Sequence, residues 1–223
     1  MATPVLELTD VAVNYGQVPA LRGVDLIVND GEFIVLLGPN GAGKTTTLRA
    51  ISGLAKLKNG SIRFNGRALP RSASAVTRGG VAHVPEGRKI FPDHTVLENL
   101  QLGAYKLRRR RTERDASIDA MFELFPRLRE RRDQQAGTLS GGEAQMLACA
   151  RALAQLITVL KRGGLTIVVI EHNVGFVMSI SDRVTVMEQG RVIAVGTPAE
   201  IQQHDEVQRA YLGDGDVIAM LGA

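Results

Sequence analysis

Residues 33–45 read FIVLLGPNGAGKT, an apolar run of strand length that passes directly into Gly-x-x-x-x-Gly-Lys-Thr. The glycines Gly38, Gly41 and Gly43 allow a tight turn in which successive backbone N–H groups point inward at phosphate oxygens. Lys44 is placed to reach the outer phosphates of a nucleotide, and the Thr45 hydroxyl to ligate a magnesium ion. The residues that follow, TTTLRAISGL, carry a helical pattern, so the positive end of a helix dipole adds to the loop. Strand, loop and helix together predict a nucleotide phosphate-binding loop on an α/β fold.

A second motif lies further along. Residues 139–143 read LSGGE and run into AQMLACARAL, an amphipathic stretch with Met146, Cys149, Ala150 and Leu153 at core spacing. Ser140 suits a helix N-cap, and Gly141 and Gly142 are expected to leave that helix start open to an anion. The chain thus carries two phosphate-friendly helix starts, and one nucleotide does not need both from the same chain.

Taken with the first loop, LSGGE makes the chain resemble the ATP-binding cassette subunits of bacterial ABC transporters. In detail it is similar to the ATPases of branched-chain amino-acid importers. The stretch VAHVPEGRKIFPDHTVLENLQLGAY (81–105), the segment ELFPRLRERR (123–132) and the tail GTPAEIQQHDEVQRAYLG (196–213) carry that likeness. The resemblance implies a P-loop NTPase core, a RecA-like sheet plus an antiparallel β subdomain, with a helical subdomain inserted. It implies ATP with magnesium as ligand, held by Gly38, Pro39, Asn40, Gly41, Ala42, Gly43, Lys44, Thr45 and Thr46. In the family two such subunits, identical or paralogous, pack head to tail, so that Ser140, Gly141 and Gly142 would close over the partner's ATP. Tyr15 matches the aromatic that stacks on adenine. His172, in IVVIEHNV, matches the switch histidine that hydrogen-bonds the γ-phosphate. Glu86, in VPEGR, stands where most relatives have the glutamine that touches magnesium and the attacking water; VPEGR is common in the amino-acid importer branch. The further partners implied are two membrane permease subunits and, indirectly, a periplasmic or extracellular amino-acid-binding protein.

Composition agrees. The chain has 223 residues, of which 44% are hydrophobic, enough for one α/β domain with a smaller subdomain. The apolar runs FIVLL and IVVI are far too short to span a bilayer, and no signal-like segment opens the chain. A lone cysteine, Cys149, forms no internal disulfide. These features predict a cytoplasmic protein, peripheral on the inner face of the membrane through its partners. The net charge of +4 comes largely from arginine-rich stretches at 108–111 and 127–132. They suit either a membrane partner and anionic headgroups or a solvated helical face with Glu113, Asp115, Glu123 and Glu130. With 4% aromatic residues and no recognition motif, nucleic acid is not expected as a partner.

As a single cassette domain, the chain divides into a nucleotide-binding core at 1–90 and 138–223 and a helical subdomain at 91–137. Residues 68–80 read as a connecting helix stopped by Gly79-Gly80. Glu188, Gln189 and Gly190 read as a hairpin turn between RVTVMEQ and RVIAVGT.

One departure from the family is as informative as the matches. After Leu153 and Ala154 the chain runs QLITVLKRGGLTIVVIEHNV. Roughly two dozen residues expected there, a strand ending in Asp-Glu-Pro and the loop after it, are absent. With them go the aspartate that holds magnesium and the glutamate that polarises water, on which phosphoryl transfer depends. Glu171 mimics a strand-end acid but precedes the switch histidine, where relatives carry an acid as well as the missing pair. Apolar residues at 146, 149, 153, 156, 157 and 160 keep helical spacing across the junction, so one helix over 142–161 is expected. The sheet is expected to lose an interior strand and expose an edge.

Overall fold

The computed structural model describes residues 4–84, 90–154, 165–170 and 181–211. They divide into two compact units, one drawn from Met1–Arg78 and Gly164–Ala223, the other from Gly79–Gly163.

The first unit holds two four-stranded sheets. In one, β1 (Pro4–Tyr15) and β2 (Val18–Asn29) pair antiparallel, and β4 (Asn59–Phe64) and β5 (Arg67–Ala68) extend the sheet in the order β2-β1-β4-β5. Alternation sets the buried face, yet the buried residues run Leu6, Leu8, then Val11, Val13. The register shifts between Leu8 and Val11, where Asp10 adopts φ 48°, and the extra residue returns the apolar side chains to the core.

The other sheet carries the loop. Its order is β6-β3-β7-β8, from β6 (Ile167–Ile170), β3 (Phe33–Leu37), β7 (Arg183–Glu188) and β8 (Arg191–Gly196). β3 pairs parallel with β6 and with β7, and β7 pairs antiparallel with β8. A central parallel strand is covered on both faces, which is why Ile34, Val35 and Leu36 are all fully buried. At the strand's start the Phe33 N–H donates to Asp182 Oδ2 (2.8 Å), and Arg183 pairs with Glu32 (2.9 Å), fixing the β3–β7 register. Among the described residues β6 is paired on one side only, and its four apolar residues are all partly exposed. The position beside β3 is therefore filled, and among the described residues β6 is the outer strand on that side.

The sequence expectation for 68–80 needs correction. Arg67–Ala68 form β5, and the helix, α2, is confined to Ala73–Gly79. Arg67 and Ala68 pair with Phe64 and Arg63 to close a short hairpin, which outweighs the helical preference of alanine.

The second unit is helical: α3 (Val96–Gly103), α4 (Arg111–Leu124), α5 (Pro126–Glu130) and α6 (Gly141–Leu153). Val96, Leu100, Met121, Phe122, Leu128 and Leu147 form its core. Buried Asn99 ties the chain ahead of α3: it accepts from the Phe91 N–H (2.9 Å) and donates to the carbonyls of Phe91 (3.0 Å) and Thr95 (2.9 Å). Both polar atoms of the Asn99 amide thus have partners, which burial demands. α6 belongs to this unit by its packing, so the helical unit reaches beyond 91–137. Its buried stripe is Ala144, Leu147, Ala148 and Ala150, whereas Met146 is exposed, Cys149 and Leu153 are half-buried, and of the four residues expected at core spacing only Ala150 is buried. The stripe is set by alanines that let α3 approach: a Cβ at Gly103 would overlap the Arg151 carbonyl. Residues 155–161 of the expected long helix lie outside the described residues.

Several arginines of this unit are paired locally. Arg110 meets Glu113, Arg114 meets Asp115, Arg127 meets Glu130, and Arg108 covers the Tyr105 ring at 4.4 Å. Such local pairs are what the solvated-face alternative expects. Two short helices, α7 (Pro198–Gln202) and α8 (Asp205–Tyr211), follow β8. Among the described residues no helix is long and apolar enough to cross a membrane.

Candidate nucleotide-binding site

The loop between β3 and α1 (Lys44–Ile51) has the form its sequence predicts. Gly43 is the N-cap of α1, at φ 103°, a conformation that a side chain would strain. A Cβ there would also meet Leu21 at 2.8 Å and the Ala20 carbonyl at 3.0 Å. No side chain caps this helix, and its first turn holds no acidic residue. Its leading N–H groups are left for an external acceptor.

Lys44 is only 6% exposed. Its Nζ donates to the carbonyls of Gly38 (2.6 Å) and Pro39 (2.9 Å), so the ammonium is held across the mouth of the loop. The Lys44 ammonium and the N-terminal end of the α1 dipole both bring positive charge to this end of the loop. Asn40, Gly41 and Thr45 are exposed, Gly38, Pro39 and Thr46 half-buried, and Ala42 buried. Thr45, in the first turn of α1, is thus accessible from solvent, as a residue that meets a hard cation carried by phosphate oxygens and water would need to be. Among the described residues no group of three His, Cys, Asp or Glu side chains is arranged to hold a metal.

Tyr15, at the end of β1, is 45% exposed. The Arg49 guanidinium lies over its ring, 5.7 Å from the centroid. A cation over the electron-rich face is attracted by the ring quadrupole and helps to fix the ring plane. The sequence reading missed Arg49, though its position five residues after Lys44 places it in the last turn of α1.

The second helix start differs from expectation. Ser140 caps α6 in a capping box: its hydroxyl accepts from the Glu143 N–H (3.4 Å), and the Glu143 carboxylate accepts from the Ser140 N–H (3.0 Å). Arg131 pairs with Glu143 at 2.6 Å. The Glu143 carboxyl is held below its ordinary range by the Ser140 hydroxyl, then by the Ser140 backbone N–H, with Arg131 adding attraction. The helix start that two glycines were expected to leave open is thus already fitted with its own carboxylate. The serine-to-glutamate spacing signals such a box. The box engages the backbone N–H groups of Ser140 and Glu143.

Glu86, Glu171 and His172 lie outside the described residues. The structure therefore brings together the loop residues 38–46 and, on the same unit, Tyr15, while Ser140, Gly141 and Gly142 belong to the other unit.

Known proteins match this arrangement. The family model described as ABC transporter matches residues 21–160, and that of the branched-chain amino acid ATP-binding cassette transporter matches 191–217. The chain is 37% identical to the high-affinity branched-chain amino acid transport ATP-binding protein BraG of Pseudomonas aeruginosa, covering 94% of this chain and all of BraG. That alignment spans 237 positions, more than the chain has residues. The chain is 31% identical to the lipopolysaccharide export system ATP-binding protein LptB of Haemophilus influenzae, with 94% of this chain and 98% of LptB covered. A crystal structure of the ADP conformation of an ATP-binding cassette from an ABC transporter superposes with TM-score 0.81 at 24% identity, over 95% of this chain and all of the other. A bare-ended helix behind a glycine loop, a buried lysine and these matches place the chain in the ABC transporter family, as one of its ATP-binding subunits.

Proposed function

We propose that the chain is the ATP-binding subunit of an importer for branched-chain or related amino acids, working beneath two membrane permease subunits that receive cargo from an amino-acid-binding protein. The observation that carries ATP binding is the uncapped start of α1 with Lys44 buried beside it. The match to BraG over its whole length supports the cargo class. In this reading Gly38, Pro39, Asn40, Gly41, Ala42, Gly43, Lys44, Thr45 and Thr46 hold the phosphates of magnesium-bound ATP, and Tyr15 stacks on the base. Thr45 and Glu86 contact the magnesium that arrives with the nucleotide, and His172 hydrogen-bonds the γ-phosphate. Ser140, Gly141 and Gly142 close over ATP bound to a second cassette subunit, so ATP promotes self-association or pairing with a paralogue. The chain sits on the inner face of the membrane.

The sequence between Ala154 and the strand IVVI favours a second element of the proposal: binding and hydrolysis come apart. No Asp-Glu pair ends a strand there, and an alignment longer than the chain is in keeping with a segment that relatives possess and this chain lacks. Loss of a general base alone typically costs about 10²–10⁴ in rate. The chain then acts as a nucleotide-binding module with slow turnover. The test measures ATP affinity and magnesium-dependent phosphate release on the same preparation. Measurable affinity with turnover far below that of a full-length relative is expected, and restoring a strand-Asp-Glu-Pro segment after Ala154 should raise it. Brisk turnover abolished by Glu171→Gln would overturn this account.

A further inference from the structure

The phosphate loop is held from behind by the turn that joins β7 to β8. Glu188 and Arg191 pair across that turn, and the two residues between them, Gln189 and Gly190, have φ of 45° and 81°. This is the two-residue hairpin geometry with both central residues left-handed. The Gly190 N–H donates to the Ala42 carbonyl (3.0 Å), and the Gly190 carbonyl accepts from the Arg22 N–H on β2 (2.8 Å). The turn is therefore pinned to the loop on one side and to the antiparallel sheet on the other.

The loop touches the same hairpin twice more. The Thr47 hydroxyl, fully buried, donates to the Gly43 carbonyl (3.1 Å) and contacts Met187 Sδ (3.6 Å). A Cβ on Gly38 would overlap the Met187 carbonyl, so β3 and β7 approach there as closely as backbones allow. A Cβ on Gly190 would lie 2.7 Å from the Ala20 carbonyl, and a Cβ on Gly43 would lie 3.3 Å from the Gly190 Cα.

We infer that the turn at 189–190 is a positioning element for nucleotide binding, and that Gly190 is the residue through which it acts. The peptide unit explains why. The Ala42 carbonyl and the Gly43 N–H belong to one planar trans peptide and point in opposite directions. Fixing the carbonyl on Gly190 turns the Gly43 N–H to the far side, into the loop. One hydrogen bond to the hairpin thus sets the direction of a donor in the anion cradle. Without it that peptide is free to rotate, and the loop meets phosphate only after paying an ordering cost. The inference rests on the loop being a nucleotide site, and the experiment separates the two.

The full chain is followed by hydrogen exchange without nucleotide, then titrated with ATP. Three variants are compared with wild type: Gly190→Ala, a glycine inserted after Gln189, and Gly66→Ala. Gly66 is also left-handed, at φ 70°, but a Cβ there meets nothing within 4 Å. It reproduces the backbone strain without the contact. The insertion displaces the Gly190 N–H without adding a Cβ, and turns tolerate such insertions. Exchange in the segment 38–46 should rise about tenfold in both variants at the turn and not in Gly66→Ala. ATP affinity should fall by roughly the same factor in those two variants at matched thermal stability. Unchanged exchange in 38–46, or an equal rise in Gly66→Ala, overturns the brace. Should wild type fail to bind ATP, the nucleotide reading falls, and the exchange result still decides whether the turn holds the loop.

Discussion

The helices that begin at Lys44 and at Gly141 both follow glycine-bearing turns, yet their first turns are completed in opposite ways. α1 has no capping side chain and no acid, and a buried lysine stands beside it. α6 has a serine cap, a glutamate folded back onto the cap, and an arginine on the glutamate. α3 and α7 are capped as α6 is, by Thr95 with Glu98 and by Thr197 with Glu200. α4 and α5 also begin without a capping side chain, so what sets α1 apart is the left-handed Gly43 at its N-cap and the buried Lys44 beside it. A helix end without a cap forgoes about 1 kcal/mol of stabilisation, so leaving it bare is a cost that a ligand offsets when it binds. The difference separates a site that needs an anion from one that merely tolerates one.

The largest effect expected from that contrast is on nucleotide affinity. Lys44→Ala removes the cation from the mouth of the loop and should weaken ATP binding on the order of 10²-fold, since hydrogen bonds to charged groups are worth about 1.5–3 kcal/mol each. Ser140→Ala should leave the affinity of the isolated monomer unchanged. Isothermal titration of the two variants side by side checks this, and equal losses would erase the distinction between the two starts. Tyr15→Leu comes next, at about 3–10-fold weaker ATP binding, from the loss of an aromatic face worth roughly 0.5–1.5 kcal/mol. Stacking recognises a flat ring rather than phosphate, so binding of inorganic triphosphate should not change.

Ser140→Ala moves the comparison to stability. Loss of the cap should cost the chain about 1 kcal/mol, read as a lower denaturant midpoint with unchanged slope. Thr46→Ala, in the first turn of α1, should cost less, because that residue makes no cap. Equal shifts would show that the α6 box contributes nothing in solution.

What the sequence made legible was local. The strand-loop-helix of 33–51 appears as read, and the register shift in β1 is visible as apolar residues that change phase at Thr9 and Asp10. The hairpin at Glu188, Gln189 and Gly190 was readable from its glycine. Surprises arose where two local signals overlapped. Ser140-x-x-Glu143 carries both a glycine-bearing helix start and a capping box, and the structure shows the box formed. In α6 the larger residues Met146, Cys149 and Leu153 suggested one stripe, while burial follows Leu147 and its alanines, because close helix packing selects small side chains that hydrophobicity alone underweights. The hold of Gly190 on Ala42 and of Asn99 on residues 91–95 was not legible: the first joins distant segments, and the second turns a polar residue inward where periodicity counts it as neutral.

The smallest effect sharpens the contrast through pH. Glu143 is held below its ordinary range chiefly by the Ser140 hydroxyl and backbone N–H, with Arg131 assisting. A carboxyl whose folded pKa is depressed contributes stability that is present above its unfolded pKa and is lost as pH falls through the folded pKa. The window therefore lies in acid, at and below the ordinary carboxylate range, and neutral pH is on its plateau. Glu143→Gln keeps the shape of the capping box and removes the titration. Wild type should be the more stable of the two at neutral pH, by a small margin because the carboxylate is only partly shielded from solvent. That margin should close as the solution is acidified, and high salt should narrow it by screening Arg131. Denaturant melts of both proteins across the acid range provide the measurement. A margin that stays constant with pH would mean that the carboxylate acts only as a hydrogen-bond acceptor of fixed strength, and that the charge at the start of α6 does not distinguish it from the bare start of α1.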